Sequence, residues 1–462
     1  MDLQVPVILN QELLLWIDEA TRRSVGGTSA YQYQVICRLK GTLDPAALQE
    51  ALNLVVARHE ALRAKFTVNP RYSARDRTMQ RMFFNRTGLF VPGFFTQRIA
   101  NEASVSLEVH TFVPESDERE EDWAQSRVRV EEFLTLRMHE SPCLRAVVYC
   151  GAIRNTMVLT LSHLTVDLQS ATLLVREIDS IYRTLRNGGS EPSGRPSEST
   201  YRAFIQRQTR MVALGGFVEE ERFWKERWQS LSLKNKPASP NFPRTDGREG
   251  VIHVRRAALD EAERQALSDF TDRTSIEPSA LFLAAFSAVW SQFTDSDFAA
   301  LLVTFPNRMP VSDDGLIAPC CNRHVVCFSI QRQMAFLQFV ATVAEELLAA
   351  GRFESLPPAA LWLKLGHNYL AGKPRPAFEH RKACAPLHQV DIVLEQLRNP
   401  YAFVDFTCRL EEAHDRIVVV LVANASAYPA GVAERVLLQL RVLIRIVLSH
   451  PDWPVGRCLA SC

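Results

Sequence analysis

Leu161-Ser162-His163-Leu164-Thr165-Val166-Asp167-Leu168-Gln169-Ser170-Ala171 is the stretch on which the fold and function of this chain turn. Upstream, Met157 to Leu161 is an apolar run that predicts a buried strand. Downstream, Ala171-Thr172-Leu173-Leu174-Val175 continues in a helical pattern, and the helix is expected from Ser170 to near Arg186. The histidine therefore falls on the turn leaving a strand, with an aspartate four residues on. Such a turn holds a side chain rigidly at the edge of a core. A neutral imidazole takes up a proton near neutral pH. The aspartate is suited to fixing nearby backbone or pairing with a cation. A plainer reading stands beside this one: a core histidine next to a helix N-cap aspartate.

Composition narrows the surroundings. A chain of 462 residues is too long for one small core, so two lobes, or two to three domains, are expected. Hydrophobic residues make up 47% and charged residues 23%, the balance of a globular protein. The formal charge of +1 gives no electrostatic footprint for nucleic acid or an anionic membrane. The first residues carry no basic segment followed by a long apolar one, which argues against a signal peptide. No uncharged apolar stretch reaches the ~18 residues of a membrane span. The ten cysteines are scattered and include no CxxC pair, so neither a zinc site nor a disulfide framework is expected. Reduced thiols in a cytoplasmic protein follow from that usage.

Along the chain, Ile8 to Ala20 is predicted helical and Tyr31 to Leu39 a strand. Asp44-Pro45 opens a helix to about Glu60, with the aspartate as N-cap and the proline at the first helical position. Residues 69–103 read as an extended excursion or inserted loop. Leu144 to Cys150 and Met157 to Ser162 form two strands joined by a short turn. Asn187 to Ser197 is dense in turn formers and marks a linker. The domain expectation is 1–186, a linker at 187–199, and 200–462. Residues 351–390 read as irregular, and a helix from Pro429 to Ser449 closes the chain. Sheets covered by helices are expected in both lobes, an α/β (α+β) fold.

Four further segments place the HxxxD in a known family. Arg58-His59-Glu60-Ala61-Leu62-Arg63-Ala64-Lys65-Phe66 resembles the RHExLRxxF signature of condensation domains of nonribosomal peptide synthetases. Asn10-Gln11-Glu12-Leu13-Leu14-Leu15-Trp16 is similar to that family's opening helix. Pro306-Asn307-Arg308, followed by Gly315 to Asn322, resembles its N/G-R pair and "IGxFVN" motif. Ser199 to Phe204, with Phe223-Trp224-Lys225, resembles a degraded form of another. The run from Val404 to Val455 has the family's cadence. These segments fall in the family's order and span nearly the whole chain.

The resemblance implies two chloramphenicol acetyltransferase-like lobes in a V-shaped pseudo-dimer around a central tunnel, with the HxxxD at its middle. It implies an acyltransferase that moves an acyl, polyketidyl or peptidyl group from a carrier-protein phosphopantetheine thioester to an amine or alcohol. The partners implied are an acyl or peptidyl carrier protein and a soluble or carrier-bound acceptor. No cofactor or metal of the chain's own is implied, and a monomer is expected. The length fits one condensation domain, a freestanding enzyme or a piece of a larger synthetase.

In the same terms His163 matches the catalytic histidine, accepting or orienting the acceptor's proton. Asp167 matches the structural aspartate and Arg308 its partner. The helix end at Arg58, His59, Glu60 and Arg63 is expected to be solvated and ion-paired rather than catalytic. Asn322 is assigned to substrate gating. Ser162 stands where the family has a first histidine, and Leu168 replaces the motif glycine, narrowing the space for a donor. The family's later HQxxPFE segment is unrecognisable around Arg352 to Pro358. A GxSxG elbow is absent, which excludes a serine hydrolase of that type. The competing expectation is a catalytically inactive platform that binds carriers and recruits a tailoring enzyme. Heterocyclization and epimerization relatives match the motif less well.

Overall fold

The computed structural model describes residues 2–21, 32–87, 89–113, 119–131, 136–137, 140, 142–190, 200–234, 252–308, 313–365, 376–382, 391–398, 404–413, 416–425 and 427–462. These form two compact units: Met1–Gly216 with Arg308–Cys321 and Leu387–Pro400, and Phe217–Asn307 with Asn322–Pro386 and Tyr401–Cys462.

In the first unit, β1 (Leu3–Val5) and α1 (Leu9–Thr21) precede β2 (Gln32–Leu39). Next come α2 (Pro45–Arg58), β3 (Ala64–Val68), α3 (Ala74–Thr87), β4 (Phe95–Ile99) and β5 (Leu107–Thr111). Then follow α4 (Glu120–Glu131), β6 (Leu144–Cys150), β7 (Asn155–Ser162), α5 (Leu168–Arg186) and α6 (Tyr201–Ala213). The cap expected at Asp44 is present, its Oδ1 accepting from Ala47 N at 3.0 Å with Pro45 at the helix start. A small sheet runs β1-β4-β3. The main sheet runs β12-β2-β7-β6-β5, where β12 (Ile392–Arg398) returns from far along the chain. β7 is its middle strand, paired antiparallel on both sides with β2 and β6. It carries Met157, Val158, Leu159 and Leu161 buried, so the turn that follows is anchored on a fully paired strand.

The second unit holds α7 (Val218–Lys234), β8 (Ile252–Ala258), α8 (Glu261–Thr274), α9 (Pro278–Thr294), β9 (Phe298–Phe305) and β10 (Asn322–Ser329). It continues with α10 (Phe336–Gly351), α11 (Pro358–Leu365), β11 (Ala377–Lys382), β13 (Phe406–Ala413) and β14 (Arg416–Asn424). The long helix Ala430–Ser449 follows, and the short helix Val455–Ala460 comes last. Its sheet runs β10-β9-β11-β13-β14-β8. The buried helix α9, apolar nearly all round, packs between the sheet and neighbouring helices.

Three expectations are corrected. Residues 69–103 are not a loop: Ser73 and Asp76 start α3, and β4 pairs with both β1 and β3. Residues 351–390 contain α11 and β11, the latter an inner strand of the six-stranded sheet. Its polar, charged sequence hides it, because the main partners of Glu379 are Arg323 and Arg409 on other strands, with Arg381 of the same strand beside them. The linker at 187–199, of which 191–199 lie outside the described residues, does not divide the units. α6, on its far side, packs against β1 in the first unit.

Candidate active site

The strand ends at Ser162, and the backbone turns at once. Ser162 O accepts from Thr165 N and from Val166 N, both at 3.1 Å. Ser162 Oγ accepts from Leu164 N at 3.3 Å, so the residue in the place of the family's first histidine serves the turn itself. His163, half-buried at the apex, is held through both ring nitrogens. Its Nδ1 lies 3.0 Å from Val166 O and its Nε2 3.0 Å from the Tyr33 hydroxyl. A carbonyl only accepts, so Nδ1 carries the proton in the neutral ring. Nε2 is then the basic nitrogen, and the Tyr33 hydroxyl donates to it. The two rings stand 4.6 Å apart, centroid to centroid, Tyr33 projecting from β2 beside β7.

Asp167 is the N-cap of α5, its Oδ1 accepting from Ser170 N at 2.7 Å. The same oxygen accepts from Arg308 Nη2 at 2.8 Å. Oδ2 accepts from Cys320 N at 3.1 Å and Cys321 N at 3.2 Å. Both partners of the ion pair are buried, at 1% and 5% exposure. Arg308 Nη1 donates to Asp313 O at 2.8 Å and Leu316 O at 2.7 Å, and Nη2 also to Ser170 Oγ at 2.9 Å. Burial disfavours the guanidinium charge, but the adjacent Asp167 carboxylate outweighs it and holds Arg308 above its usual range. Burial and the same carboxylate push the Cys320 thiol well up, so it stays protonated rather than a thiolate nucleophile. With four donors on two oxygens, Asp167 organises the segment 313–321 and has no lone pair left for a base's work.

Helix α5 starts at Leu168, two residues before the expected Ser170. Leu168 is therefore its first residue, in right-handed backbone that any residue adopts. The glycine-to-leucine change adds a side chain without backbone strain.

Two residues named above only as parts of motifs, Gln11 and Tyr201, prove to hold this turn together with Gln97, which no motif covers. Gln11 Nε2 donates to Leu164 O at 2.7 Å and to the Tyr201 hydroxyl at 2.8 Å, and Gln97 Nε2 reaches that hydroxyl at 2.5 Å. All three side chains are buried. Arg58 and His59 meet Glu177 of α5 at 3.0 and 2.5 Å, and hold its carboxyl below the usual range in spite of burial. Glu60 accepts from Arg202 N at 3.0 Å at the start of α6. The RHExLR segment thus brackets α5 and α6. It is ion-paired as expected but largely buried, not solvated, because its partners lie on helices packed over it.

In the second unit, Asn322 donates Nδ2 to Glu354 O at 2.7 Å and Leu356 O at 3.3 Å and is buried. It tethers the 354–356 turn, a use that competes with the gating expected of it. Nearby His324 is buried and stacks on Trp224 at 4.1 Å, and burial pushes it down to about 3, leaving it neutral. Asn307 has φ +48°, the left-handed region that Asn and Gly adopt most readily, which explains the residue type before Arg308. Among the described residues no group of three His, Cys, Asp or Glu side chains is placed to hold a metal, and no helix is long and apolar enough to cross a membrane.

The turn, its buried Asp–Arg node and the order of motifs define the class, and comparison with known proteins names the family. A model of the condensation domain matches residues 81–370, and the chain belongs to that family. It is 21% identical over 454 residues to chondramide synthase cmdD of Chondromyces crocatus, covering 93% of this chain but 11% of that synthase. The fold is similar to the condensation domain of the monacolin K polyketide synthase MokA, with a TM-score of 0.80, 13% identity, and 98% and 99% of the two chains covered. It is also similar to the X-domain from teicoplanin biosynthesis, with a TM-score of 0.75, 17% identity and 98% and 97% coverage. That X-domain has also been solved in complex with OxyB. The fold is accordingly the family's, built from two acetyltransferase-like lobes.

Proposed function

We propose that the chain transfers an acyl, polyketidyl or peptidyl group from a carrier-protein phosphopantetheine thioester to an amine or alcohol, with His163 as the group that takes the acceptor's proton. The acceptor's nitrogen or oxygen takes the place of the Tyr33 hydroxyl at the Nε2 lone pair and attacks the thioester carbonyl as Nε2 takes its proton. The tetrahedral intermediate then collapses, breaking the C–S bond, and the imidazolium returns the proton to the phosphopantetheine thiolate. An amide or ester and a free thiol result, and the chemistry requires no cofactor of the chain's own.

The observation that carries this reading is the state of the imidazole. The Val166 carbonyl on Nδ1 makes Nε2 the basic atom, on a turn held by Gln11 and by the Asp167–Arg308 node. Asp167 and Arg308 serve the scaffold, and Ser162 serves the turn. Leu168 shapes the space beside it and limits the donor.

A second reading, a platform that binds carriers and recruits a tailoring enzyme without chemistry of its own, is favoured by the leucine at 168 and by the likeness to the teicoplanin X-domain. Intact-protein mass spectrometry separates the two. Acyl-phosphopantetheinyl carriers are mixed with amines and alcohols, and wild type is compared with His163→Ala. Deacylation of the carrier with a new amide or ester that the variant cannot make supports the enzyme. Carrier binding with no turnover in either protein supports the platform.

A further inference from the structure

Helix α3 is built deliberately. Ser73 N donates to Asp76 Oδ2 at 2.7 Å and Asp76 N donates to Ser73 Oγ at 3.2 Å, a reciprocal cap. One flank is anchored. Phe84 is buried and stacks on Trp16 with centroids 5.9 Å apart, and Arg77 pairs with Glu19 of α1 at 2.9 Å. The other flank faces outward. At about 100° per residue, Arg75, Met79, Met82, Phe83 and Arg86 share one side, away from Phe84. Met79 is 59% exposed, Met82 65% and Phe83 43%, and both arginines are exposed. The helix carries four arginines and one aspartate in a chain whose formal charge is only +1.

This is an apolar stripe with a cation near each end, on a rigid helix. Met, Phe and Arg are the residue types enriched in protein interfaces. A second copy is a poor occupant, because two-fold antiparallel pairing sets Arg75 of one chain against Arg86 of the other. A bilayer is also a poor one. Three apolar side chains, with the opposite flank committed to α1, fall short of the broad apolar face such binding requires.

We propose that the outward face of α3 docks a protein partner presenting an apolar patch rimmed by carboxylates, and that this partner is the acyl-loaded carrier protein. The second clause rests on the acyl-transfer reading above. Arg75 and Arg86 pair with the carboxylates, while Met79, Met82 and Phe83 fill the apolar centre.

The test titrates a panel of octanoyl-phosphopantetheinyl carrier proteins into the full chain. Wild type, Met79→Ser/Met82→Ser, Arg75→Glu/Arg86→Glu and His163→Ala are compared, with thermal melts to verify folding. Both α3 double variants are expected to weaken carrier binding at least tenfold and to raise KM for the carrier-borne acyl group equally. Turnover of the small thioester octanoyl-N-acetylcysteamine should be unchanged in them. Added salt should weaken wild-type binding. His163→Ala should bind the carrier normally and turn over neither substrate. A wild type that binds no carrier, or α3 variants that bind as wild type does, overturns the proposal. So does α3-dependent capture on phosphatidylglycerol vesicles or α3-dependent dimerisation in its place. Turnover by His163→Ala at the wild-type rate would sink the catalytic reading, while the binding comparison still decides the role of α3.

Discussion

Gln11 of α1 donates its side-chain amide to the carbonyl of Leu164, the residue after His163 and 153 positions further along the chain. It shares the Tyr201 hydroxyl with Gln97, so α1, β4, α6 and the histidine turn meet at one buried polar junction. Gln11→Leu leaves a buried carbonyl without this donor, at a cost of about 1–3 kcal/mol. A lower urea midpoint with an unchanged slope is expected, together with reduced turnover. An unchanged midpoint would show that the turn holds its shape without this bond.

The Asp167–Arg308 pair is the stronger node. Removing one member strands a buried charge, at about 3–5 kcal/mol. Asp167→Ala should therefore lower stability and activity together, and Arg308→Met should do the same. The double variant should cost less than the sum of the two, a coupling measurable by a denaturation cycle. A soluble, stable and fully active Asp167→Ala protein would contradict the assignment.

On the acyl-transfer reading, Tyr33 acts through His163, to which it is hydrogen-bonded. In Tyr33→Phe the aromatic packing survives and one hydrogen bond is lost, about 1 kcal/mol. Turnover is expected to fall about fivefold if that energy is all lost from the transition state. His163→Ala should lose about 10²- to 10⁴-fold. Steady-state kinetics of the two variants compare the effects directly. Equal losses would move the essential proton-accepting role toward the Tyr33 hydroxyl.

Burial pushes Glu12 up to about 7, although Phe94 N and Phe95 N donate to it at 2.8 and 3.1 Å. The unfolded chain releases this proton near 4.5 while the folded chain keeps it. Between those values the native state binds more protons, so stability falls as pH rises, by about 3 kcal/mol for this group, and levels off above 7. Glu12→Gln keeps an acceptor for both amides and should flatten that part of the curve. Urea midpoints for both proteins at pH 4.5, 6 and 7.5 measure the difference, and parallel curves would count against it.

Asn307 makes a local test. Its positive φ should make Asn307→Gly nearly neutral and Asn307→Val costly, by about 1–3 kcal/mol. Thermal melting of the pair reads this out. Equal melting points would mean that the loop relaxes around the valine.

Patterns carried by neighbouring residues were legible without the structure. The apolar run into His163, the Asp44-Pro45 helix start and the turn-rich stretch after Arg186 each depend on residues within a few positions of one another. Helix α3 had its own local signal, Ser73-x-x-Asp76, but its arginine-rich, outward-facing stripe concealed the helical period that apolar residues normally reveal. Strand β11 had no such signal, since an arginine- and glutamate-bearing strand reads as surface until its counter-charges on β10 and β13 are in place.

The sequence by itself determined the family and the turn that carries the candidate histidine, because motif order and spacing survive wherever the chain must turn, cap or pair in a particular way. Only the tertiary structure decided what surrounds that residue. Tyr33 on Nε2, Gln11 beneath the turn, Glu177 between Arg58 and His59, and the return of β12 to the first sheet all join residues more than a hundred positions apart. The geometry of a hydrogen bond or ion pair is set by where packed helices and strands bring two groups together. Linear separation carries no record of that distance, so the positions were visible in the sequence and their partners were not.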